Sequence, residues 1–320
     1  MSARSDKTVR IGTRGSSLAL AQAGLVRKAL ALAHPGVTWE IVTVTTRGDR
    51  DPAAPVAALG VGVFVKELET ALKEDRIDLA VHSAKDMPSK LPRDMVIGAF
   101  LERADARDAL ISRHGNGLDG LPHGARVGTG SARRKAQLLA TRPDFRVEPV
   151  RGNVDTRLAR LRDPQYGFDA LILAAAGLAR LGRANQAAEL LDHEVFVPAV
   201  GQGAIAIEVR RGDNPVLALA GAVDHRPTRQ AVEAERAFLD AIGGGCSSPV
   251  TAYATVSRGK IKVATFIAAP DGSGAVWDNT VGPARDPDSV GRSAAKSLLT
   301  AGGSKIIGTL AVQPPGDHDG

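Results

Sequence analysis

The chain is 320 residues long, 43% hydrophobic, and carries 41 Lys plus Arg against 35 Asp plus Glu, a net charge of +6. At about 150 residues per domain, this length predicts two domains or three small ones, with enough apolar surface for real cores. Aromatic residues are only 3%, which argues against stacking platforms for single-stranded nucleic acid; the modest positive excess suits acidic small molecules or nucleic acid, and its arrangement decides between them.

The opening residues Met1-Ser2-Ala3-Arg4-Ser5-Asp6-Lys7 lack the apolar region of a secretory signal. Val9-Arg10-Ile11 predicts a short strand, and the apolar spacing over 18–32 predicts a helix. The β-branched run Ile41-Val42-Thr43-Val44-Thr45 predicts a strand, 64–72 a helix and 78–82 a strand. Further strands are expected at 96–100, 109–112, 126–128, 145–150 and 170–173, with helices at 132–140, 156–161 and 175–181. This alternation predicts an α/β architecture with open, largely parallel sheets. Residues 48–62, rich in Ala, Pro and Gly, read as a lid or a surface insertion. Beyond Asp224, a helix at 229–242, strands at 250–256 and 260–267 and a helix at 289–300 predict a small α/β unit, and 313–320 reads as a disordered tail. The longest apolar run, 170–178, is too short to span a bilayer.

Two turns echo each other. Ile11-Gly12-Thr13-Arg14-Gly15-Ser16 and Val127-Gly128-Thr129-Gly130-Ser131 each end a strand, turn on glycine and offer a serine to cap the next helix. The echo predicts two similar lobes. Basic residues gather at such turns: Arg14, Arg133-Arg134-Lys135, Arg151 and Arg157. A cation at a helix N-terminus opposes the helix dipole, so the repeated arrangement predicts a bound anion held by backbone N–H groups and guanidinium forks. In open α/β sheets ligands sit beyond the carboxyl ends of strands, and Ala80-Val81-His82-Ser83-Ala84-Lys85-Asp86 runs to such an end. An acid among anion-binding arginines is suited to offset a positive charge arising on a substrate; a plain salt link to Lys85 or an arginine is the simpler alternative. His82 reads as a packed strand residue sooner than as a base. Pro198-Ala199-Val200-Gly201-Gln202-Gly203 reads as a hinge or a tight turn. No His, Asp or Glu cluster has metal spacing, and no phosphate-binding P-loop motif is present.

The single cysteine, Cys246, follows Gly243-Gly244-Gly245. Alone it forms neither an intrachain disulfide nor a thiolate zinc cage, and it reads as a packing residue, a nucleophile or an attachment point. With one cysteine and no export signal, the expected compartment is the cytoplasm.

Taken together the segments resemble the porphobilinogen deaminase family. The stretches that carry the resemblance are Ile11–Ser16, Thr46-Arg47-Gly48-Asp49, Phe64-Val65-Lys66-Glu67-Leu68-Glu69, residues 80–86 and 127–134, Arg151-Gly152-Asn153 with Arg157, Ala176-Gly177-Leu178-Ala179-Arg180, residues 198–203, and Gly244-Gly245-Cys246. They span nearly the whole chain in order. The resemblance implies two periplasmic-binding-protein-like lobes with mixed, largely parallel sheets, plus a small α/β third domain. The implied boundaries are 1–103 with 199–221 for the first lobe, 104–198 for the second and 222–320 for the third. It implies a dipyrromethane cofactor joined to Cys246 by a thioether, porphobilinogen as substrate, and a monomer binding neither nucleic acid nor membrane. Carried over residue by residue, it gives Asp86 the catalytic role. Cys246, Lys85, Ser131, Arg133 and Arg134, with Asp86, then hold the cofactor, and Arg14, Ser16, Phe64, Arg151, Arg157 and Arg180 the substrate. Two departures stand out: Val61 where a lysine is frequent, and Gly130-Ser131-Ala132 where Ser-Ser-Leu is frequent. The rival readings are a two-lobed carboxylate binder without chemistry, which leaves Cys246 idle, and a nucleic-acid binder, which the strand-end placement of the basic residues disfavours.

Overall fold

A computed structural model describes residues 8–45, 65–243 and 249–307. In chain order the strands and helices are β1 (Thr8–Thr13), α1 (Ser17–Ala33), β2 (Thr38–Thr43), α2 (Lys66–Lys73), β3 (Leu79–Ser83), β4 (Met95–Phe100), β5 (Asp108–Ser112), β6 (Arg126–Gly128), α3 (Ala132–Thr141), β7 (Arg146–Glu148), α4 (Val154–Arg162), β8 (Ala170–Ala174), α5 (Ala175–Arg180), β9 (Glu189–Leu190), β10 (Ile205–Arg210), α6 (Asn214–Gly221), α7 (Arg226–Ile242), β11 (Val250–Ser257), β12 (Lys260–Ile267), β13 (Val276–Pro283) and α8 (Pro287–Leu298). The chain is mixed α/β, as its alternation predicts.

Among the described residues the strands form three sheets, ordered β2-β1-β3-β10-β4, β7-β6-β8-β5-β9 and β11-β12-β13. The two five-stranded sheets follow one plan. In each, three parallel strands lie with the earliest in the middle. An antiparallel strand then separates them from an outer strand that runs with the first three. The antiparallel strand is the one out of sequence in both: β10 returns to the first sheet after the whole second one, and β5 precedes the second sheet's parallel strands. The chain divides into two compact units, residues 1–106, 176–184 and 201–229 in one, and 107–175, 185–200 and 230–320 in the other.

In the first unit, strand alternation sorts the core. Val9, Ile11, Leu79, Val81, Ile207 and Val209 face α1 and α6, packing on Ala23, Val26, Leu30 and Val216. Ala80 faces the other way, with Leu68, Ala71 and Leu72 of α2 and with Ile77. Each large aliphatic side chain buried here stabilises the fold by about 1.5–3 kcal/mol. Helix α1 starts where Ser16 Oγ accepts from Ala19 N at 3.3 Å and ends at His34, where Pro35 and Gly36 cannot continue it. In the second unit, Leu110, Val127, Ile172 and Leu138 centre the core of the second sheet. Phe238 and Ile242 of α7 and Ala294 and Leu298 of α8 cover the third sheet.

The expected element boundaries mostly agree with the structure to within two residues. The third sheet has a further strand, β13, whose residues alternate between half-buried and exposed and offered no apolar run to see. Helix α6 was also not anticipated; it begins with Asp213 capping Val216 N and a proline in its first turn, both helix-start signals. Strand β2 lies three residues earlier than predicted, because Trp39 and not Val44 leads the segment that pairs with β1. The proposed lid at 48–62 and the tail at 313–320 fall outside the described residues. Among the described residues no helix is long and apolar enough to cross a membrane.

Candidate functional site

Adjacent strands β1 and β3 end side by side, so the turns that follow them share one space. Beyond β1 come Arg14 and Ser16; beyond β3 a single 3-10 turn, Ala84–Asp86, brings Asp86 round. A pocket at these strand ends is lined by Arg14, Ser16, Gln22, His82, Ser83 and Asp86, with Val65 just before α2. It lies wholly within the first unit. Arg14 is half-buried and Asp86 exposed, which brings a cation and an anion to one opening. Lys85 stands beside Asp86, half-buried.

The 3-10 turn is pinned from behind. Gly201 has φ +69°, and a Cβ there would sit 2.9 Å from the carbonyl carbon of Ala84 and 3.0 Å from Lys85 N. Only glycine combines that backbone conformation with so close an approach. Gly203 has φ +86°, and a Cβ would come within 2.5 Å of Ala104 O. Its carbonyl accepts a 2.6 Å bond from Arg180 Nη2. No carboxylate pairs with Arg180 among the described residues, and burial alone lowers its pKa to about 10. The glycine-rich stretch is therefore a packed turn in the first unit, with Gln202 Nε2 donating to Ala106 O at 2.7 Å.

The corresponding turn of the second unit is built differently. Ser131 caps α3, its Oγ accepting from Arg134 N at 3.4 Å. Arg133 and Arg134 occupy the first turn of that helix and are both 6% exposed. Arg133 Nη2 lies 2.8 Å from Asp108 Oδ2, and Arg134 Nη2 lies 2.7 Å from Oδ1. Arg133 Nη1 also donates to Val197 O at 2.6 Å, and Arg134 Nη1 to Ile172 O at 3.1 Å. Asp108 is fully buried. Two guanidiniums thus share the Asp108 carboxylate, and Arg133 Nε is buried with no hydrogen-bond partner among the described residues. Burial pulls the Arg133 pKa down, with Asp108 opposing. Gly130 approaches Val150 O, where a Cβ would lie at 3.1 Å. A side chain at this position would require that carbonyl to give by a few tenths of an ångström.

Arg151 follows β7, the neighbour of β6, and is exposed. Arg157 is half-buried, its Nε donating to Gly152 O at 2.8 Å, while Asn153 caps α4 at Thr156 N. Cys246 and Phe64 lie outside the described residues, as does Val61.

Four residues at these sites were not singled out from sequence: Gln22, Glu69, Asp108 and Glu208. Gln22 and Ser83 bond to each other at 2.8 and 3.1 Å inside the pocket. Glu208 holds His82 Nε2 at 2.9 Å. The available signal was polarity out of place: Gln22 on the apolar face of α1, and Glu208 between Ile207 and Val209.

Comparison with known proteins agrees along the chain. Residues 9–218 match the family description "Porphobilinogen deaminase, dipyromethane cofactor binding domain", and residues 229–300 match "Porphobilinogen deaminase, C-terminal domain". The porphobilinogen deaminase of Roseiflexus castenholzii is 50% identical over 301 residues, covering 94% of this chain and 98% of its own. That of Moorella thermoacetica is 46% identical over 306 residues, covering 95% and 97%. Among solved structures, the methionine binding protein MetQ covers 68% of this chain and 89% of its own at 14% identity and a TM-score of 0.42, too weak a likeness to carry weight. On its sequence, the chain belongs to the porphobilinogen deaminase family, transferases of tetrapyrrole biosynthesis whose cofactor is dipyrromethane.

Proposed function

We propose that the protein condenses four porphobilinogen molecules head to tail with loss of ammonia, on a dipyrromethane primer thioether-linked to Cys246, and then releases hydroxymethylbilane by hydrolysis. The observation that carries this reading is the pocket in which Arg14 and Asp86 meet at adjacent strand ends. Porphobilinogen bears an acetate and a propionate, which call for guanidinium partners. Departure of ammonia leaves a cation conjugated with the pyrrole, which calls for a fixed carboxylate. In this reading Asp86 accepts the pyrrole N–H and offsets that cation. Arg14, Ser16, Phe64, Arg151, Arg157 and Arg180 hold substrate carboxylates and rings, and Lys85, Ser131, Arg133 and Arg134 hold those of the cofactor.

The described residues suit a polycarboxylate. Arg133 and Arg134 bring two guanidiniums to Asp108 in a buried place, and the Arg133 Nε donor has no partner among the described residues. Arg180 is desolvated, and among the described residues its partner is the Gly203 carbonyl. A carboxylate at either place would relieve a standing electrostatic cost. When bound, dipyrromethane supplies the free pyrrole carbon from which the product grows. The chain's own part is to orient rings, neutralise carboxylates and fix the place of the Asp86 side chain. We infer further that the protein works as a monomer in the cytoplasm, where a lone thiol stays reduced until it is used.

Intact mass spectrometry tests the proposal. The purified protein should weigh more than its sequence by two pyrrole units, and Cys246→Ser should lack the surplus and the activity. Unmodified protein with full activity overturns it.

A further inference from the structure

Strand alternation places two ionisable side chains on the α2 face of the first sheet, and α2 itself adds a third. Leu79 and Val81 of β3 face α1, so Ala80 and His82 face α2. Ile207 and Val209 of β10 likewise face α1 and α6, so Glu208 faces α2. His82 pairs in register with Ala206, two residues from Glu208, and Nε2 lies 2.9 Å from Glu208 Oε2 with both side chains buried. Glu208 Oε1 has no hydrogen-bond partner among the described residues. From α2, Glu69 completes the group, 8% exposed. Its carboxyl is held above the usual range, first by burial and then by the Glu208 charge, with His82 opposing.

A carboxylate at Glu208 accepts from Nε2, which leaves Nδ1 as the acceptor nitrogen of the ring. Nδ1 has no hydrogen-bond partner among the described residues, and His82 lines the same pocket as Arg14 and Asp86. This is a buried carboxylate–imidazole pair whose histidine belongs to the wall of the site, the arrangement that makes a general base.

We propose that His82, oriented and charge-balanced by Glu208, is the base that removes the proton from the pyrrole α-carbon after each new carbon–carbon bond forms there. The C–H bond breaks, its electron pair restores the aromatic ring, and the proton goes to His82 Nδ1. It leaves with the expelled ammonia as ammonium, which resets the imidazole. Asp86, occupied with pyrrole N–H groups, is spared this task. The inference rests on the function proposed above.

Glutamine at 82 separates chemistry from structure, because its amide can keep the bond to Glu208 but offers no base. His82→Gln should keep the two-pyrrole mass surplus and its melting temperature, hold KM within about threefold, and lose kcat by about a hundredfold. Porphobilinogen deuterated at its free α-carbon should then show a primary isotope effect absent from wild type. A kcat within twofold of wild type overturns the proposal. Glu208→Gln is the second probe. With the countercharge gone, the imidazolium is less stable, so the acid limb of the kcat profile should move to lower pH and the plateau should fall. The groups facing His82 that could distort that profile are Glu69 from α2 and Arg14 and Asp86 at the pocket. A limb that stays in place overturns the proposal. Nitrogen NMR of the wild type adds a readout free of turnover: a proton on Nε2 and none on Nδ1 is expected at pH 8, and the opposite tautomer overturns the proposal. If instead the wild type neither consumes porphobilinogen nor carries the adduct, it is the functional reading that fails.

Discussion

The turns after β1 and β6 have nearly the same residues and opposite electrostatics. Both end a strand on glycine, and both cap the next helix with a serine, at 3.3 Å for Ser16 and 3.4 Å for Ser131. In the first, Arg14 precedes the cap and stays in the loop, half-buried in the pocket with Asp86. In the second, Arg133 and Arg134 follow the cap, and the helix's first turn carries them inward to Asp108. Two cations at a helix N-terminus oppose its dipole, and a fully buried aspartate offsets them. Where a basic residue falls relative to a cap thus decides whether it is presented to solvent or built into the interior.

That contrast can be broken most severely at Asp108. Asp108→Ala removes the carboxylate that two buried guanidiniums share and should cost about 3–5 kcal/mol of stability, measured by urea unfolding; a loss below about 1 kcal/mol would show that the cluster is solvated. Next is Asp86→Asn, which leaves the exposed turn intact. It should preserve fold and adduct mass while lowering kcat about a hundred- to a thousandfold, and near-normal turnover would remove Asp86 from the chemistry. Arg180 lies between the two extremes, desolvated yet without an acid among the described residues. Arg180→Gln should raise KM for porphobilinogen about tenfold, in line with about 1.5–3 kcal/mol for a charge-assisted bond. Its charge is present below a pKa of about 10 and is lost above it, so the wild-type KM should climb as pH rises through that value and the variant's should not. The smallest effect sharpens the shared feature: Ser16→Ala and Ser131→Ala should each cost about 1 kcal/mol. Equal costs would mean that the caps are equivalent and that only the arginines differ.

Most of this was legible where the cause is local. Serine caps, strand-end glycines and apolar spacing act over a few residues, so both echoing turns and most elements could be read from sequence. Asp86 and Arg14 were legible as strand-end residues, and the parallel pairing of β1 with β3 brings them together. Partnerships over long separations were not. Asp108 reads as an ordinary strand-start residue, and nothing near it in sequence announces Arg133 or Arg134. His82 was read as packed, which its burial agrees with, but its partner is 126 residues away. The exposed alternation of β13 hid a strand, because one face of that edge meets solvent.

Strand β10 sits between β3 and β4, antiparallel to both, and arrives from more than a hundred residues downstream. During synthesis the facing edges of β3 and β4 have no partner until residues 205–210 emerge, and such open edges invite misassociation. The same late strand delivers Glu208. A nascent chain released before it is made would therefore lack both the seam of its first sheet and the anchor for its histidine.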